Sequence, residues 1–447
     1  MQMNEYKPLI VAFCCNWCSY AGADLAGNNR LNYPADVKII RVPCSCRVNP
    51  MFILRAFQRG ADGVIICGCH PGDCHYTSGN YYTRRRMALL FSMLDYLGIE
   101  RERTRVEWVS AAEGAKFAAK IKRETLTEKA SELLKNGTVD RVLGWKSGEL
   151  DYDVTPAVFS DCGELEEQFV WNGFCGANFS KYLIKETAKT ESKVLVFLKP
   201  CDTYSFNQLL TEHRFDREKV YAVGIPCGGM LDINKIKESA EGISTVSDNG
   251  ETVEVETLYD GTLSFERNAL LLERCACCKS KKHAAYDELL GEEGEVLDSN
   301  RFDEVEKLEK MTPDERFSFW QGELSRCIRC NACRDVCPAC TCEKCVFDNP
   351  ESGVQNKAAV NSFEEKMFHI IRAFHVAGRC TDCGECSRVC PQHIPLHLLN
   401  RKFIKDIDEF YGEYQAGAEA GSRAPIVNYT TGDIEPSEAA GRGDRNA

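Results

Sequence analysis

Two cysteine runs near the C-terminus limit the possible fold more than any other feature of the chain. Cys327, Cys330, Cys333 and Cys337-Pro338 form the first run, and Cys380, Cys383, Cys386 and Cys390-Pro391 the second. Both read C-x2-C-x2-C-x3-C-P, the spacing that holds a pair of [4Fe–4S] cubanes. Three thiolates on one tight turn clasp three iron corners, and the fourth, opening the next element, reaches the other cluster. The expected ligand sets are therefore Cys327, Cys330, Cys333 with Cys390, and Cys337 with Cys380, Cys383 and Cys386. One run alone would also suit zinc; two complete copies point to a protein that carries electrons.

The composition narrows the class further. At 447 residues the chain exceeds one ordinary domain, and two to four are expected. A net charge of −12 argues against nucleic acid, whose binders are basic. The 26 cysteines would suggest disulfides in a secreted chain, but no signal peptide precedes them. No stretch approaches the roughly 18–20 apolar residues of a membrane span. The reading is a soluble protein of a reducing, anaerobic cytoplasm, with its thiols committed to metal.

Residues 1–140 alternate strand and helix. Pro8–Phe13, Val37–Val42, Gly63–Ile66 and Arg105–Val109 are apolar or β-branched runs of strand length. Met51–Gln58 and Arg84–Leu97 have helical patterns, and Ser110-Ala-Ala-Glu113 reads as a capping box opening a helix that stops near Asn136-Gly137. This alternation predicts an α/β fold with a parallel sheet covered on both faces, flavodoxin-like in outline. Cys14, Cys15 and Cys18 are expected after the first strand, Cys44 and Cys46 after the second, and Cys67, Cys69 and Cys74 after the third. Open α/β sheets place ligands beyond the carboxyl ends of their strands, so these three groups should converge.

Residues 141–320 predict a second α/β domain. Val194–Leu198 and Tyr221–Ile225 read as buried strands leading into Lys199-Pro200-Cys201-Asp202 and Pro226-Cys227-Gly228-Gly229. Ile243–Val246 and Thr252–Leu258 flank the hairpin turn Asp248-Asn249-Gly250. Residues 321–405 form the two-cluster module, and residues 406–447 read as a flexible tail.

The segments Cys15-Asn-Trp-Cys18, Arg41-Val-Pro-Cys44 and Gly68-Cys69-His70-Pro-Gly-Asp-Cys74-His75 together resemble the delta subunit of the methyl-viologen-reducing hydrogenase. The resemblance spans residues 8–125. It implies a [2Fe–2S] cluster, held by four of Cys15, Cys18, Cys44, Cys69 and Cys74, and docking onto the flavoprotein component of heterodisulfide reductase. Cys14, Cys46 and Cys67 depart from the family pattern and read as buried small hydrophobes. A tetrahedral zinc site is the bland alternative for the same thiols. His70 and His75 read as groups that hydrogen-bond cluster sulfur or a backbone carbonyl.

The middle segment and cluster module resemble, more loosely, the beta subunit of deazaflavin-dependent hydrogenases and formate dehydrogenases. The carriers are Lys199-Pro-Cys201-Asp, Gly224-Ile-Pro-Cys227-Gly and Arg274-Cys275-x-x-Cys278. Cys201, Cys227, Cys275 and Cys278 would suffice for a third [4Fe–4S] cluster, with buried structural thiols or a zinc clip as the alternatives. Members of that family bind FAD, yet no G-x-G-x-x-G follows a predicted strand here, and no residues can be named for a flavin. Cys340, Cys342 and Cys345 trail the first run, and their role is left open.

No nucleophile elbow, phosphate loop or paired carboxylates stand out, so no catalytic residue is expected. The chain reads as an electron-transfer subunit. It would relay electrons between a hydrogenase, formate dehydrogenase or other donor and a heterodisulfide-reductase-like flavoprotein, within an electron-bifurcating or confurcating complex. The alternative is a flavin-bearing oxidoreductase subunit that exchanges hydride with a nicotinamide or deazaflavin.

Overall fold

The computed structural model describes residues 9–29, 31, 37–96, 103–279, 281–295, 299–349, 362–428 and 433. The chain forms two compact units, and it passes between them more than once. The first comprises residues 1–176, 230–271 and 290–292; the second comprises 177–229, 272–289 and 293–447.

The first unit opens with a four-stranded parallel sheet. Its elements are β1 (Ile10–Cys15), α1 (Ser19–Asn28), β2 (Val37–Val42), α2 (Pro50–Gln58), β3 (Gly63–Gly68), α3 (Gly79–Tyr96), β4 (Thr104–Trp108) and α4 (Gly114–Lys135). The strand order is β2-β1-β3-β4, so the chain reverses direction across the sheet between β1 and β3. Side chains alternate between two apolar faces, as period-two strands require. Ile10, Ala12, Cys14 and Ile65 pack with Ala23, Phe117 and Ile121 on one face. Phe13, Val64 and Ile66 pack with Ile53, Met87, Leu90 and Leu94 on the other. The sheet is thus covered on both sides, the doubly wound arrangement expected from the alternation.

Several boundaries differ from the expectation. Cys14 and Cys15 are the last residues of β1, and Cys67 lies inside β3, because the parallel ladder continues to Cys15↔Val42 and Gly68↔Trp108. Cys14 and Cys67 are register partners. The capping box does not form. The Ser110 N–H donates to the Glu113 carboxylate at 2.6 Å, but the helix starts at Gly114, with Glu113 at its N-cap. Glu113 is drawn off that duty by Lys116 at 2.7 Å and His70 at 2.8 Å. Pro8 and Leu97, at the ends of two expected elements, lie outside the described residues.

The rest of the first unit is antiparallel. Val139–Ser147 pairs with Val154–Phe159, and Ile243–Asp248, Thr252–Thr257 and Gly261–Glu266 form a meander through the expected turn. In the second unit Lys193–Leu198 pairs in parallel with Val220–Gly224, and the latter with Glu288–Leu289. Both longer strands run into cysteine-bearing loops. Two four-residue helices, Ala332–Asp335 and Glu385–Arg388, lie inside the two C-terminal runs and carry Cys333 and Cys386, and Leu396–Tyr411 closes the module. The stretch after 411 does not read as a free tail as far as 428. Ala416 and Ala424 are buried, and the Gly421 N–H donates to the Thr211 hydroxyl at 2.8 Å. Residues 434–447 lie outside the described residues. Among the described residues no helix is long and apolar enough to cross a membrane.

Candidate metal centres

In the first unit the thiols gather beyond the carboxyl ends of β1, β2 and β3. The Cys15 and Cys69 sulfurs are 3.7 Å apart, and those of Cys44 and Cys74 are 3.9 Å apart. Cys18, at the N-cap of α1, adjoins the same group: burial pushes its thiol up, and Cys69, Cys15 and Cys74 all act on it. Burial first, then Cys46, pushes the Cys44 thiol up to about 12. Gly79, the first residue of α3, closes over the pocket. A Cβ there would lie 2.5 Å from the Cys44 sulfur and 3.0 Å from that of Cys74. Only glycine leaves the room these sulfurs need. The loop carrying Cys44 is pinned by Ser45 on Thr83 at 2.8 Å, and Asn80 holds the Cys69 carbonyl at 3.3 Å.

The three cysteines set aside in the sequence divide. Cys14 and Cys67 are fully buried in the apolar core. Cys46 is half-buried and stands 3.5 Å from the ideal Gly79 Cβ, because the short turn Ser45–Arg47 carries it beside Cys44. Both histidines contact other side chains. His70 bonds Glu113, whose carboxyl is held down to about 2 by Lys116, Ser110 and His70 although burial opposes this. His75 stacks on Trp17 at 4.0 Å, and the Trp17 indole donates to the Tyr76 hydroxyl at 3.2 Å. Trp17 and Tyr76 are 46% and 49% exposed, which leaves an aromatic surface next to Cys18 and Cys74.

The second unit holds three thiol groups. Cys201, Cys227, Cys275, Cys277 and Cys278 line one cavity together with Arg274 and Asp382. Cys201 lies in the first turn of the helix Pro200–Thr211, where backbone N–H groups point outward. The Gly229 N–H donates to the Cys227 sulfur at 3.4 Å. Cys277 turns away, its thiol donating to the Glu273 carbonyl and carboxylate at 3.2 Å each. Cys201, Cys227, Cys275 and Cys278 line the same cavity. Positive charge is buried beside them: Lys199, 1% exposed, sits 2.8 Å from Asp202. The Arg274 guanidinium is 2.7 Å from Glu385 and also donates to the Cys383 carbonyl.

Cys327, Cys330, Cys333 and Cys390 line a second cavity with Phe368, His369 and Leu396. Cys337, Cys380, Cys383 and Cys386 form the third group: Cys337 and Cys386 act electrostatically on Cys380, and Cys337 and Cys380 on Cys383. Cys390, the last cysteine of the second run, thus lies with the first three of the first run. The two turns also share a backbone. Arg329 and Asp382, third in each run, both have φ 54°, and Asn331 and Gly384, fifth in each, both have φ 65°. Non-glycine residues rarely hold this left-handed conformation, and the strain marks a constraint other than local folding. It turns amides inward: the Arg329 N–H lies 3.5 Å from the Cys327 sulfur. Asn400 adds a side-chain donor to Cys386 at 3.6 Å.

Three features were not anticipated from the sequence. One is Gly79, an unremarkable glycine until its neighbours are known. Another is the buried Glu385, 2.7 Å from both Arg274 and Arg388; these hold its carboxyl down to about 2 against burial. The last is the helix Ser362–His375 in the long loop between the runs, which brings His369 and Arg372 to the thiols. The only signal for it is two basic side chains inside the apolar stretch Met367–Phe374.

Two matched cysteine turns define an iron–sulfur protein of the two-cluster type, and residues 323–394 match the family described as a 4Fe-4S dicluster domain. Residues 10–133 match the family "Methyl-viologen-reducing hydrogenase, delta subunit". The chain belongs to that family. It is 62% identical to the iron-sulfur subunit of the F420-non-reducing hydrogenase vhc of Methanococcus voltae, over 26% of this chain and 79% of that one. It is 53% identical to the corresponding iron-sulfur subunit of the F420-non-reducing hydrogenase of Archaeoglobus profundus, over 30% of this chain and 94% of that one. It is also 45% identical to one component of the ferredoxin:CoB-CoM heterodisulfide reductase of Methanosarcina mazei, over 30% of this chain but only 16% of that one. A solved F420-reducing [NiFe] hydrogenase complex from Methanosarcina barkeri contains a chain that aligns at a TM-score of 0.27 and 14% identity, over 34% of this chain and 58% of that chain.

Proposed function

We propose that this chain relays single electrons between a hydrogenase, formate dehydrogenase or other donor and a heterodisulfide-reductase-like flavoprotein, within a cytoplasmic, anaerobic, bifurcating or confurcating complex. The observation that carries the reading is the continuity of thiol groups in the second unit. Arg274 and Asp382 join the group of Cys201 to that of Cys383. Cys386 adjoins Cys333 of the next group. That last group reaches the surface at Cys330, beside the exposed Ile328. Three [4Fe–4S] clusters, held by the three sets of four cysteines, would supply one-electron chemistry along this line. The chain's own residues hold them, exclude water and place charge beside them; no substrate bond is made or broken.

A [2Fe–2S] cluster in the first unit fits its paired thiols. A tetrahedral metal with bonds of about 2.3 Å to sulfur holds two thiolates about 3.8 Å apart. The 3.7 Å and 3.9 Å pairs therefore match two irons, one gripped by Cys15 and Cys69 and one by Cys44 and Cys74. Cys18 is then the spare thiol. The exposed Trp17–His75–Tyr76 surface beside this site is where the flavoprotein would dock.

The test uses the full chain, purified anaerobically and prereduced, mixed with the heterodisulfide reductase flavoprotein. The two should co-elute, and the flavin should bleach at the chain's expense. Substituting both Trp17 and Tyr76 by alanine should weaken co-elution and leave the iron content unchanged. Absence of association with the unaltered chain would refute the partner assignment.

A further inference from the structure

The helix Ser362–His375 carries two buried polar side chains whose nitrogens meet no nitrogen or oxygen partner among the described residues. His369 is 1% exposed and Arg372 is 3% exposed. Both ring nitrogens of His369 and all three guanidinium nitrogens of Arg372 lack a nitrogen or oxygen partner among the described residues, and the Arg372 guanidinium reaches the Cys386 thiol. A buried cation is costly unless another charge faces it. The other two buried arginines described in this unit obey that rule: Arg274 meets Glu385 at 2.7 Å, and Arg401 meets Asp382 at 2.9 Å. Arg372 meets sulfur instead. Burial works against its charge, and Cys386, Cys337, Cys333 and Cys340 act in favour of it. Cys386 and Cys337 belong to one ligand set and Cys333 to the other. His369, one helical turn earlier, lines the cavity of Cys327, Cys330, Cys333 and Cys390.

We propose that Arg372 is a fixed cation shared by the two ferredoxin-type centres, raising both reduction potentials together, and that His369 donates a hydrogen bond to one of them alone. The inference rests on the two-cubane reading of these thiols. Each centre takes one electron from its neighbour and passes one on, with no bond formed or broken. A cubane with four thiolates is net negative and becomes more so on reduction, so a nearby cation in a low-dielectric interior stabilises the reduced form. Charge and hydrogen bonds at the sulfurs are among the levers that set such potentials. One cation between two centres moves both in the same direction and leaves the step between them small. Electrons can then cross the pair in either direction, as a relay between two partners requires. His369 supplies the offset that remains.

The experiment is an EPR-monitored redox titration of the full chain, purified anaerobically, with iron counted on the same sample. If the unaltered chain shows no cubane signals, the two-cubane reading fails and the inference falls with it for that separate reason. With the signals present, Arg372→Gln should lower both potentials, each by about tenfold in the reduction equilibrium, or about 59 mV for a one-electron couple. Arg372→Lys, which keeps the charge, should stay near the unaltered values. His369→Phe should shift only one of the two waves. The proposal is overturned if Arg372→Gln shifts neither wave or only one, or if Arg372→Lys falls as far as Arg372→Gln. If Arg372→Gln fails to assemble its clusters, Arg372→Lys decides: assembly with unaltered potentials supports the cation, and failure there too overturns it. For His369, movement of both waves or of neither overturns that half.

Discussion

Gly79→Ala isolates the metal pocket of the first unit from its fold. The added methyl carbon would sit 2.5 Å from the Cys44 sulfur and 3.0 Å from that of Cys74. Non-bonded heavy atoms rest at about 3.5–4.0 Å, so at least one sulfur must retreat by about 1 Å. Overpacking of this size costs about 1–3 kcal/mol. Replacing glycine by alanine in a helix returns up to about 1 kcal/mol. The two effects nearly offset each other, and the domain should fold. A tetrahedral ligand set has no such tolerance, so the [2Fe–2S] centre should be lost. The assay counts iron and records EPR and visible absorption on the reduced and oxidised full chain. Gly79→Ala should lack about two irons and the [2Fe–2S] signal while the cubane signals persist. Gly27→Ala is the control, since a Cβ there meets nothing within 4 Å; it should match the unaltered protein. Full iron and an unchanged signal in Gly79→Ala would refute the pocket assignment.

Other expectations follow from the same geometry. Cys333→Ser should lose about four irons and one cubane signal, since its thiol completes the set with Cys327, Cys330 and Cys390; unchanged iron would break that set. Cys275→Ser should cost a further cubane, whereas Cys277→Ser, whose thiol is engaged by Glu273, should keep all its iron. Cys14→Ala should lower the melting temperature and leave the iron unchanged, because Cys14 is a core residue paired in register with Cys67. Glu385→Gln tests the buried ion cluster. Its folded value of about 2 lies below the ordinary 4.5, so its contribution is full above about pH 4.5 and is lost as pH falls toward 2. At about 1.4 kcal/mol per unit this is roughly 3 kcal/mol at pH 7. Urea unfolding should show that deficit at pH 7 and a smaller one at pH 3.5; equal deficits would contradict it.

The parallel sheet and the two cysteine turns were legible because each has a strong local code. Alternating β-branched runs such as Val37–Val42 fix a strand, and C-x2-C-x2-C-x3-C-P fixes a turn that can wrap a cluster. The pairing of Cys201 and Cys227 with Cys275 and Cys278 was also accessible, since both strand ends and the C-x2-C pair were visible. What escaped depends on contacts far apart in sequence. Glu113 reads as a capping residue, yet His70 and Lys116 claim it in the folded chain. Cys46 reads as a small hydrophobe but is carried to the site by the turn that places Cys44. Residues 412–428 have a tail's composition, yet buried alanines at 416 and 424 fasten them down. Arg372 is the sharpest case. In sequence it is one basic residue in a helix; its burial beside thiols, with no carboxylate bonded to it among the described residues, is visible only in the fold.

The central claim is that one chain carries a [2Fe–2S] centre and three cubanes. Iron and acid-released flavin, counted per chain on anaerobically purified protein and set beside its EPR redox titration, test this most directly. The account predicts about 14 irons, one [2Fe–2S] signal, three cubane components and no flavin. A zinc-rich protein with little reducible absorption, or a chain holding one flavin and fewer irons, would contradict it.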